Sequence, residues 1–431
     1  MKKTIKILLC SILLFVFAVG AFACGNGADK YISFTMDVGE DGTFKILQLT
    51  DIHLIDSNYT DDEVESDLSL RDEWAMTAVR ETIEAAKPDM IMVTGDSVYN
   101  LLNVPRKISR DNYTTFKKFA DFIDSFDIPW AFCFGNHDEE GTLKELMGGD
   151  AKETKKMLSS YLMSDSIKNC MYADGPDEIN GVGNYIINVL NEDGSVNNAI
   201  VIFDSGSYFG TDEWCYEYVH EDQLKWYEEA IKHIAKKNGT ANVSSIVFQH
   251  IPFVTYESVL EKFIGALEVV EGTDWQGIIK ADGTGTVYTT EFDGETIIYH
   301  GGVYNEGEVC HSWDKEWPVG SKVEYDGGKK EFDKLVELGS TKAVFCGHDH
   351  RNTYSFTYEG IRLTYGMSID YSANGLTPIG SNAENQRIFE DTVQRGGTLI
   401  TLNADSSVSV KQVPFKRNLY QEEVDRRLAA E

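Results

Sequence analysis

The sequence has few basic residues for its length, and it contains no run of them. Its 431 residues include 39 Lys and Arg against 70 Asp and Glu, which gives a formal net charge of −31 at pH 7. Such a chain repels nucleic acid and anionic membrane surfaces, so we predict no nucleic-acid-binding surface. The acidic excess itself favours solubility and indicates no particular function.

Cysteine is also scarce, and no two of the seven cysteines are separated by two residues. The lack of a Cys-x-x-Cys pair argues against a zinc ribbon or finger. Cys133 and Cys346 lie in apolar runs and are expected to be small core residues. Cys170, Cys215 and Cys310 could include one disulfide in an exported protein, although their spacing shows no disulfide framework.

Neither an internal repeat nor a Ser/Pro-rich linker divides the chain. We therefore expect one catalytic domain over residues 44–416, preceded by a tether and lead-in over residues 24–43. Residues 417–431 are expected to form a C-terminal helix or tail. An apolar content of 42% is sufficient for a sizeable core.

The N-terminus has the three parts of a targeting segment. Three of the first six residues are Lys, the stretch 7–22 is almost wholly apolar, and Ala21-Phe22-Ala23 has the small-x-small form of a cleavage site. These features predict a signal peptide over residues 1–23 and an exported protein.

Cys24 follows the predicted cleavage site directly. This position resembles the lipobox of bacterial lipoproteins, in which the cysteine is lipidated, so we expect a cell-surface lipoprotein held to the membrane by a lipid on Cys24. The lipobox usually has Leu at the position of Ala21 and a small residue at that of Phe22. Ordinary secretion and a retained membrane anchor are the alternatives, although the apolar run is short for a spanning helix.

Strand-like and helix-like patterns alternate in the first part of the predicted domain. Short apolar runs predict strands at 44–49, 90–93 and 128–134, and helical spacing predicts helices at 71–86 and 111–126. This β-α-β-α-β order is typical of an α/β protein with a mainly parallel sheet. Ligands of such sheets bind beyond the carboxyl ends of the strands.

The rest of the chain is predicted to continue this mixture. We expect strands at 185–190, 199–203 and 245–250, hairpins at 353–367 and 397–413, and helices within 142–163, at 220–237 and at 329–338. Residues 263–323 show the least regular pattern and are the expected substrate loops. Their aromatic residues and histidine either line a pocket or pack an insertion against the sheet: Trp275, Tyr304, His311, Trp313 and Trp317.

Residues of the types that bind metal ions follow five of the apolar runs. They are Asp51 and His53, Asp96, Asn136, His250, and His348 with His350. Two carboxylates, an amide oxygen and four imidazoles suit Zn, Fe, Mn or Co. Seven ligands are too many for one tetrahedral ion, and they suit two ions that share a bridging carboxylate. Each motif alone is common in turns, but the five together, in order, indicate a functional centre.

His137 and Asp138 follow the candidate ligand Asn136 and are left for catalysis. We expect His137 to give a proton to the leaving group and Asp138 to orient its ring. A two-metal centre polarises phosphoryl oxygens, lowers the pKa of a bridging water and stabilises an in-line displacement. The predicted reaction is therefore hydrolysis by a metal-bridging hydroxide.

The ordered motifs resemble those of the calcineurin-like metallophosphoesterase superfamily over about residues 44–413. The motifs that carry the resemblance are Asp51-x-His53, Gly95-Asp96, Gly135-Asn136-His137-Asp138, His250 and Gly347-His348-x-His350. The resemblance implies a four-layer α/β/β/α sandwich with a dinuclear metal centre. It also implies a division of the ligands: Asp51, His53 and His350 on the first ion, Asp96 as the bridge, Asn136, His250 and His348 on the second, and His137 as the acid.

Tyr99 adds a question about the branch of the superfamily. Gly95-Asp96-Ser97-Val98-Tyr99 also matches the Gly-Asp-x-x-Tyr motif of purple acid phosphatases, whose tyrosine binds ferric iron. That branch lacks the histidine of the first motif, whereas this chain has both His53 and Tyr99. We interpret His53 as the ligand and Tyr99 as a neighbour of the site or a substrate contact.

A weaker likeness to the same branch lies in Phe203-Asp204-Ser205-Gly206 and Gln223-x-x-Trp226. It favours an exported phosphomonoesterase that acts on a small phosphorylated substrate. A phosphodiesterase or nucleotide pyrophosphatase with the same centre is the alternative. A non-enzymatic surface-binding protein is a third reading, but a degenerate site would be expected to lose a ligand and none is missing. The substrate, the metals and the oligomeric state stay open.

Overall fold

The computed structural model describes residues 29–55, 62–99, 112–142, 149–209, 216–269, 287–302, 327–373 and 394–430. The predicted signal peptide, Cys24, Cys215 and Cys310 lie outside these residues, as do the five residues named above in the expected substrate loops. Cys170 is described and is a free thiol. In the described ranges, no helix is both long enough and apolar enough to cross a bilayer.

The smaller sheet contains the predicted β-α-β-α-β unit. Its strands are β2 (Phe44–Leu49), β3 (Met90–Thr94) and β4 (Trp130–Cys133), joined to β13 (Gly396–Leu402) and β14 (Val408–Pro414). The order is β14-β13-β2-β3-β4, with β2, β3 and β4 parallel to one another. Helices α1 (Asp62–Ala86) and α2 (Asn112–Asp124) connect the parallel strands. These three strands are almost wholly buried, which explains their continuous apolar runs.

The strands of the larger sheet are β1 (Phe34–Asp37), β5 (Tyr185–Leu190), β6 (Val196–Ile202), β7 (Ser245–Phe248), β8 (Tyr288–Phe292), β9 (Glu295–Tyr299), β10 (Thr341–Cys346), β11 (Ser355–Tyr358) and β12 (Ile361–Tyr365). Within the described residues their order in the sheet is β1-β5-β6-β7-β10-β12-β11-β9-β8. The four central strands β6, β7, β10 and β12 are parallel, so their carboxyl ends meet at one edge.

The remaining helices are α3 (Ala151–Leu162), α4 (Glu221–Asn238), α5 (Thr255–Val269), α6 (Lys329–Leu338) and α7 (Leu419–Leu428). Alternate residues of β6 face different layers, as the period of a strand requires. Ile200 and Ile202 pack into the core shared with the smaller sheet and α1, whereas Val201 packs into the core beneath α4, α5 and α6. Two sheets face to face between two helical layers form the predicted four-layer sandwich.

Two segments differ from the sequence-based expectations. Residues 34–37, within the predicted lead-in, form β1 and pair in parallel with β5. Residues 255–269 and 288–299, which overlap the expected irregular region, form α5 and the β8–β9 hairpin. The side chains of β8 are alternately partly buried and exposed, so this strand lacks the continuous apolar run that marks the central strands.

Candidate metal centre

The seven predicted ligands come together where strands from both sheets end. Three of the strands belong to the smaller sheet and two to the larger one, so the site lies between the sheets. Ligand atoms of Asp51, His53, Asp96 and His350 all lie within 4.8 Å of one another, and those of Asp96, His250 and His348 form a second such group. Asn136 joins the second group, because its Oδ1 lies 3.1 Å from His250 Nε2. This is the division that the resemblance implies.

Asp96 is the residue common to both groups. Its Oδ2 lies 3.4 Å from His53 Nε2 and 3.2 Å from His250 Nε2. The two histidines come from strand ends of different sheets, β2 and β7. Its other oxygen, Oδ1, accepts the backbone N–H of His137 at 2.9 Å. The carboxylate is therefore placed to bridge two cations.

Four of the seven residues have a left-handed backbone. The φ angles are 51° for Asp51, 52° for His53, 48° for Asp96 and 73° for His348. Each such residue costs about 1–3 kcal/mol, and the conformation persists only where its surroundings impose it. Hydrogen bonds between the two loops do so here: the N–H of Asp51 donates to Gly95 O at 3.1 Å, and that of His53 to Asp96 O at 3.0 Å. Strain at residues that converge on one point is typical of a functional site.

Two glycines of the motifs are required by space rather than by φ. A Cβ atom on Gly135 would lie 2.1 Å from Asp96 Oδ1. A Cβ atom on Gly347 would lie 2.0 Å from Thr50 Oγ1 and 3.0 Å from Asp51 Oδ2. Any side chain at either position would push a candidate ligand away, which explains the glycine in Gly-Asn-His and in Gly-His-x-His.

Burial and charge make the centre a site for cations. Asp51 and Asp96 are completely buried. Burial raises the pKa of Asp51 to about 7, and the Asp96 carboxylate beside it acts in the same direction. Burial alone lowers the pKa of His250, but the Asp96 carboxylate overcomes this effect and raises it to about 9. Buried carboxylates are stable only when they are paired or bind metals, so the donor set fits two metal ions.

The structure corrects the role expected for Asp138. Its Oδ2 accepts the backbone N–H of Asp96 at 3.0 Å and that of Gly135 at 2.7 Å, so it fixes the loops instead of touching the imidazole. Glu140 takes the orienting role, because its Oε2 lies 2.7 Å from His137 Nδ1. The turn after β4 brings the residue three positions on beside His137, whereas the adjacent Asp138 points into the loop.

A second residue that the sequence reasoning missed is Asp370. Its Oδ1 lies 3.2 Å from His53 Nδ1, and its Oδ2 lies 3.5 Å from His350 Nδ1. It is buried and follows the end of β12, which is parallel to β10. Its position a few residues after the apolar run Ile361–Tyr365 is the signal that identifies it with the other strand-end residues.

Three tyrosines lie around the centre. The ring of Tyr99 lies edge-on at 5.4 Å from that of His53 and at 4.9 Å from that of His137. Burial raises the pKa of Tyr99 to about 12, with a contribution from Glu140. Tyr208 accepts a hydrogen bond from Asn136 Nδ2 at 2.9 Å, and the ring of Tyr216 lies 4.2 Å from that of His348.

Residues 44–263 match the family model described as calcineurin-like phosphoesterase. The chain belongs to the calcineurin-like phosphoesterase family. The superfamily resemblance read from the motifs is thereby confirmed. The residues between the sheets are candidate metal ligands of a metallophosphoesterase.

Several proteins are related to the chain over most of its length. It is 27% identical over 350 residues to "probable inactive purple acid phosphatase 28" of Arabidopsis thaliana, which covers 78% of this chain and 72% of that protein. It is 27% identical over 340 residues to phosphatase DCR2 of Saccharomyces cerevisiae, covering 76% of this chain and 48% of that protein. The match to a solved structure of a dimetal phosphatase from Danio rerio covers 86% of this chain and 99% of that chain, with 10% identity. Its TM-score of 0.40 is too low to support a conclusion. One of these relatives is named inactive and another a phosphatase, so their names do not decide whether this chain is active.

Proposed function

We propose that this protein is an exported, metal-dependent phosphoesterase that hydrolyses a small phosphomonoester. The observation that carries the proposal is the position of Asp96 in both groups of candidate ligands. Asp51, His53 and His350 would hold one ion with it, and Asn136, His250 and His348 the other. Two such ions supply an activated water and stabilise the charge of the transferring phosphoryl group.

The residues around the centre support a proton-donating role for His137. Its side chain is 21% exposed and that of Glu140 is 29% exposed, whereas His53 and Asp96 are buried. A substrate that enters from solvent would therefore bring its leaving group close to His137, on the partly exposed side of the site. Glu140 accepts from Nδ1 of the ring, which leaves Nε2 to carry the proton that the departing oxygen needs.

The test is a metal analysis combined with a panel of phosphomonoesters, phosphodiesters and nucleotides. We expect hydrolysis of phosphomonoesters above that of the other substrates, loss of activity with a chelator, and recovery with Zn, Fe, Mn or Co. The variant His348→Ala removes one candidate ligand, so it should lower both the metal content and the rate of hydrolysis. Faster hydrolysis of diesters would favour a phosphodiesterase. Metal-loaded protein without hydrolysis would make it a binding protein, in line with the relative named inactive.

Export and lipidation complete the proposal. The predicted lipid-bearing Cys24 lies five positions before Asp29, which is fixed on α4 by His233 Nε2 at 2.9 Å and Lys237 Nζ at 2.7 Å. A tether of this length would hold the domain directly at the membrane surface. Mass spectrometry of the native protein should find a lipid on Cys24, and Cys24→Ala should release the protein or leave it unprocessed. An unmodified Cys24 would leave simple secretion.

A further inference from the structure

Both carboxylate oxygens of Asp370 lie beside histidines of the candidate metal centre. Oδ1 accepts the backbone N–H groups of Ser372 and Ala373, each at 2.8 Å, and lies 3.2 Å from His53 Nδ1. Oδ2 is buried, has no hydrogen-bond partner within the described part of the chain, and faces His350 Nδ1 at 3.5 Å. One carboxylate thus faces the Nδ1 atoms of two histidines whose Nε2 atoms point into the centre.

The loop that carries Asp370 is fixed by two buried arginines. Arg395 donates from Nε to the carbonyl oxygen of Asp370 at 2.7 Å, and its guanidinium lies 4.0 Å from the ring centre of Tyr371. Arg71 donates from Nη1 to the carbonyl oxygen of Tyr371 at 2.6 Å. Both arginines are at most 7% exposed. A carboxylate held this firmly can define the orientation of the imidazoles that contact it.

The same loop is tied to the strand end that carries Asp51 and His53. The backbone N–H of Ile369 donates to Thr50 O at 3.1 Å, immediately before these two residues. The position of Asp370 relative to His53 is therefore set by the backbone at both ends.

We propose that Asp370 is a positioning residue that fixes His53 and His350 for the first metal ion: its Oδ1 accepts a hydrogen bond from Nδ1 of His53, and its Oδ2 is placed to accept one from Nδ1 of His350. A carboxylate only accepts, so both Nδ1 atoms carry the proton and both Nε2 lone pairs are free for the metal. The inference rests on the proposed two-metal centre and adds a residue that neither the motifs nor the comparisons assign.

The second group of ligands lacks an equivalent carboxylate among the described residues. His250 Nδ1 lies 2.7 Å from the carbonyl oxygen of Thr94, and His348 Nε2 is buried with no hydrogen-bond partner in the part of the chain that the structure describes. An anionic partner raises the basicity of a metal-binding imidazole more than a carbonyl does. Asp370 therefore strengthens the first ion site selectively.

Asp370→Asn is the variant that tests this role. Asparagine keeps the shape of the side chain but replaces one carboxylate oxygen with an NH₂ group. This group faces one of the two histidines and cannot accept a hydrogen bond from its Nδ1–H. Asp124→Asn is the matched control: Asp124 also accepts several N–H groups, among them Trp130 Nε1 at 3.0 Å, but it lies at the amino end of β4, away from the centre. Both variants are made in full-length protein and in an Asn136→Ala background, which weakens the second ion site.

The affinity of each protein for Co²⁺ is measured by competition with a chelator. Loss of an outer partner of a metal-binding histidine costs about 10–100-fold in affinity, and we expect a loss in this range for Asp370→Asn and no change for Asp124→Asn. Equal Co²⁺ affinities in the wild type and Asp370→Asn would overturn the role of Asp370 while leaving the metal centre intact. A wild-type protein that binds none of Co²⁺, Zn²⁺, Mn²⁺ and Fe²⁺ would overturn the proposed function and this inference together.

A spectroscopic readout separates positioning from general stability and does not need the variant. NMR of the Co²⁺-loaded wild type should show shifted, solvent-exchangeable imidazole N–H signals from His53 and His350, because both Nδ1 atoms carry a proton that is protected from solvent. At least one signal should disappear in Asp370→Asn. If the wild type lacks these signals, the proposed tautomers are wrong, even if the variant does not fold.

Discussion

Nδ1 of His137 lies 2.7 Å from Oε2 of Glu140, and neither residue belongs to the two groups of candidate metal ligands. The pair stands beside the centre, where the backbone N–H of His137 donates to Asp96 Oδ1 and its ring contacts those of His53 and Tyr99. A proton donor can therefore be removed here without removing a ligand.

The first prediction concerns His137→Ala. A general acid typically contributes about 10²–10⁴-fold, and it matters most for a poor leaving group. The variant should keep both metals, lose roughly 10²-fold or more in kcat on alkyl phosphates, and lose clearly less on p-nitrophenyl phosphate, whose leaving group needs no proton. Equal losses on the two substrates at matched metal content would remove His137 from this role.

Glu140→Gln should change the pH dependence of the same reaction. Burial lowers the pKa of His137, but the Asp96 and Glu140 carboxylates together raise it above its ordinary value. Without the charge of Glu140 the ring loses its proton at lower pH, so the fall of kcat on the alkaline side should move to lower pH for alkyl phosphates. An alkaline limb at the wild-type pH would show that Glu140 does not support the acid.

The third prediction concerns colour. The ring of Tyr99 lies edge-on to those of His53 and His137, and His53 already stands among the candidate ligands of the first ion. We therefore expect no tyrosinate–iron charge-transfer band in the iron-loaded protein, and an unchanged visible spectrum in Tyr99→Phe. A purple band that is lost in Tyr99→Phe would make Tyr99 a ligand, as in the purple acid phosphatases whose motif it shares.

The buried carboxyl group of Glu139 should make the free energy of unfolding depend on pH. Its Oε2 is buried and has no hydrogen-bond partner among the described residues, and burial raises the pKa of Glu139 from 4.5 to about 7 although Lys155 Nζ lies 3.8 Å away. Because the folded protein holds this proton more tightly than the unfolded chain, stability is lost as pH rises from about 4.5 to about 7. At about 1.4 kcal/mol per pH unit, the ionised form costs up to about 3 kcal/mol.

Glu139→Gln should therefore be more stable than the wild type at pH 8, with a difference that shrinks towards pH 5. Urea unfolding at the two pH values measures this difference. Glu84, exposed on α1, provides the control variant Glu84→Gln, which should not alter the pH dependence. A difference of the same size at both pH values would show that Glu139 is not protonated in the fold.

The sequence marks each candidate ligand locally, and the structure brings these candidates together. The strands before Asp51, Asp96, Asn136 and His348 are buried runs, and the loops that follow need glycine where a Cβ would collide with a ligand. Parallel strands then place their carboxyl ends together without further information. The four-layer sandwich follows from the same alternation of strands and helices.

The residues that support the ligands are not marked in this way. Asp370 reaches His53 across 317 positions of the chain, a contact that no local spacing contains. Asp138 shows the opposite error, since adjacency to His137 in sequence does not bring the side chains together. The β8–β9 hairpin was not predicted because the residues of β8 are only partly buried or exposed, so β8 has no apolar run.

We expect one carboxylate, that of Asp96, to serve two metal ions. The decisive experiment is elemental analysis with parallel phosphatase assays on the wild type, Asp96→Asn and the control Asp124→Asn. We expect two ions per chain in the wild type and the control, and at most one ion with most of the activity lost in Asp96→Asn, because a neutral amide cannot hold two cations together. Full occupancy by two ions in Asp96→Asn, or a wild type that binds none, would contradict it.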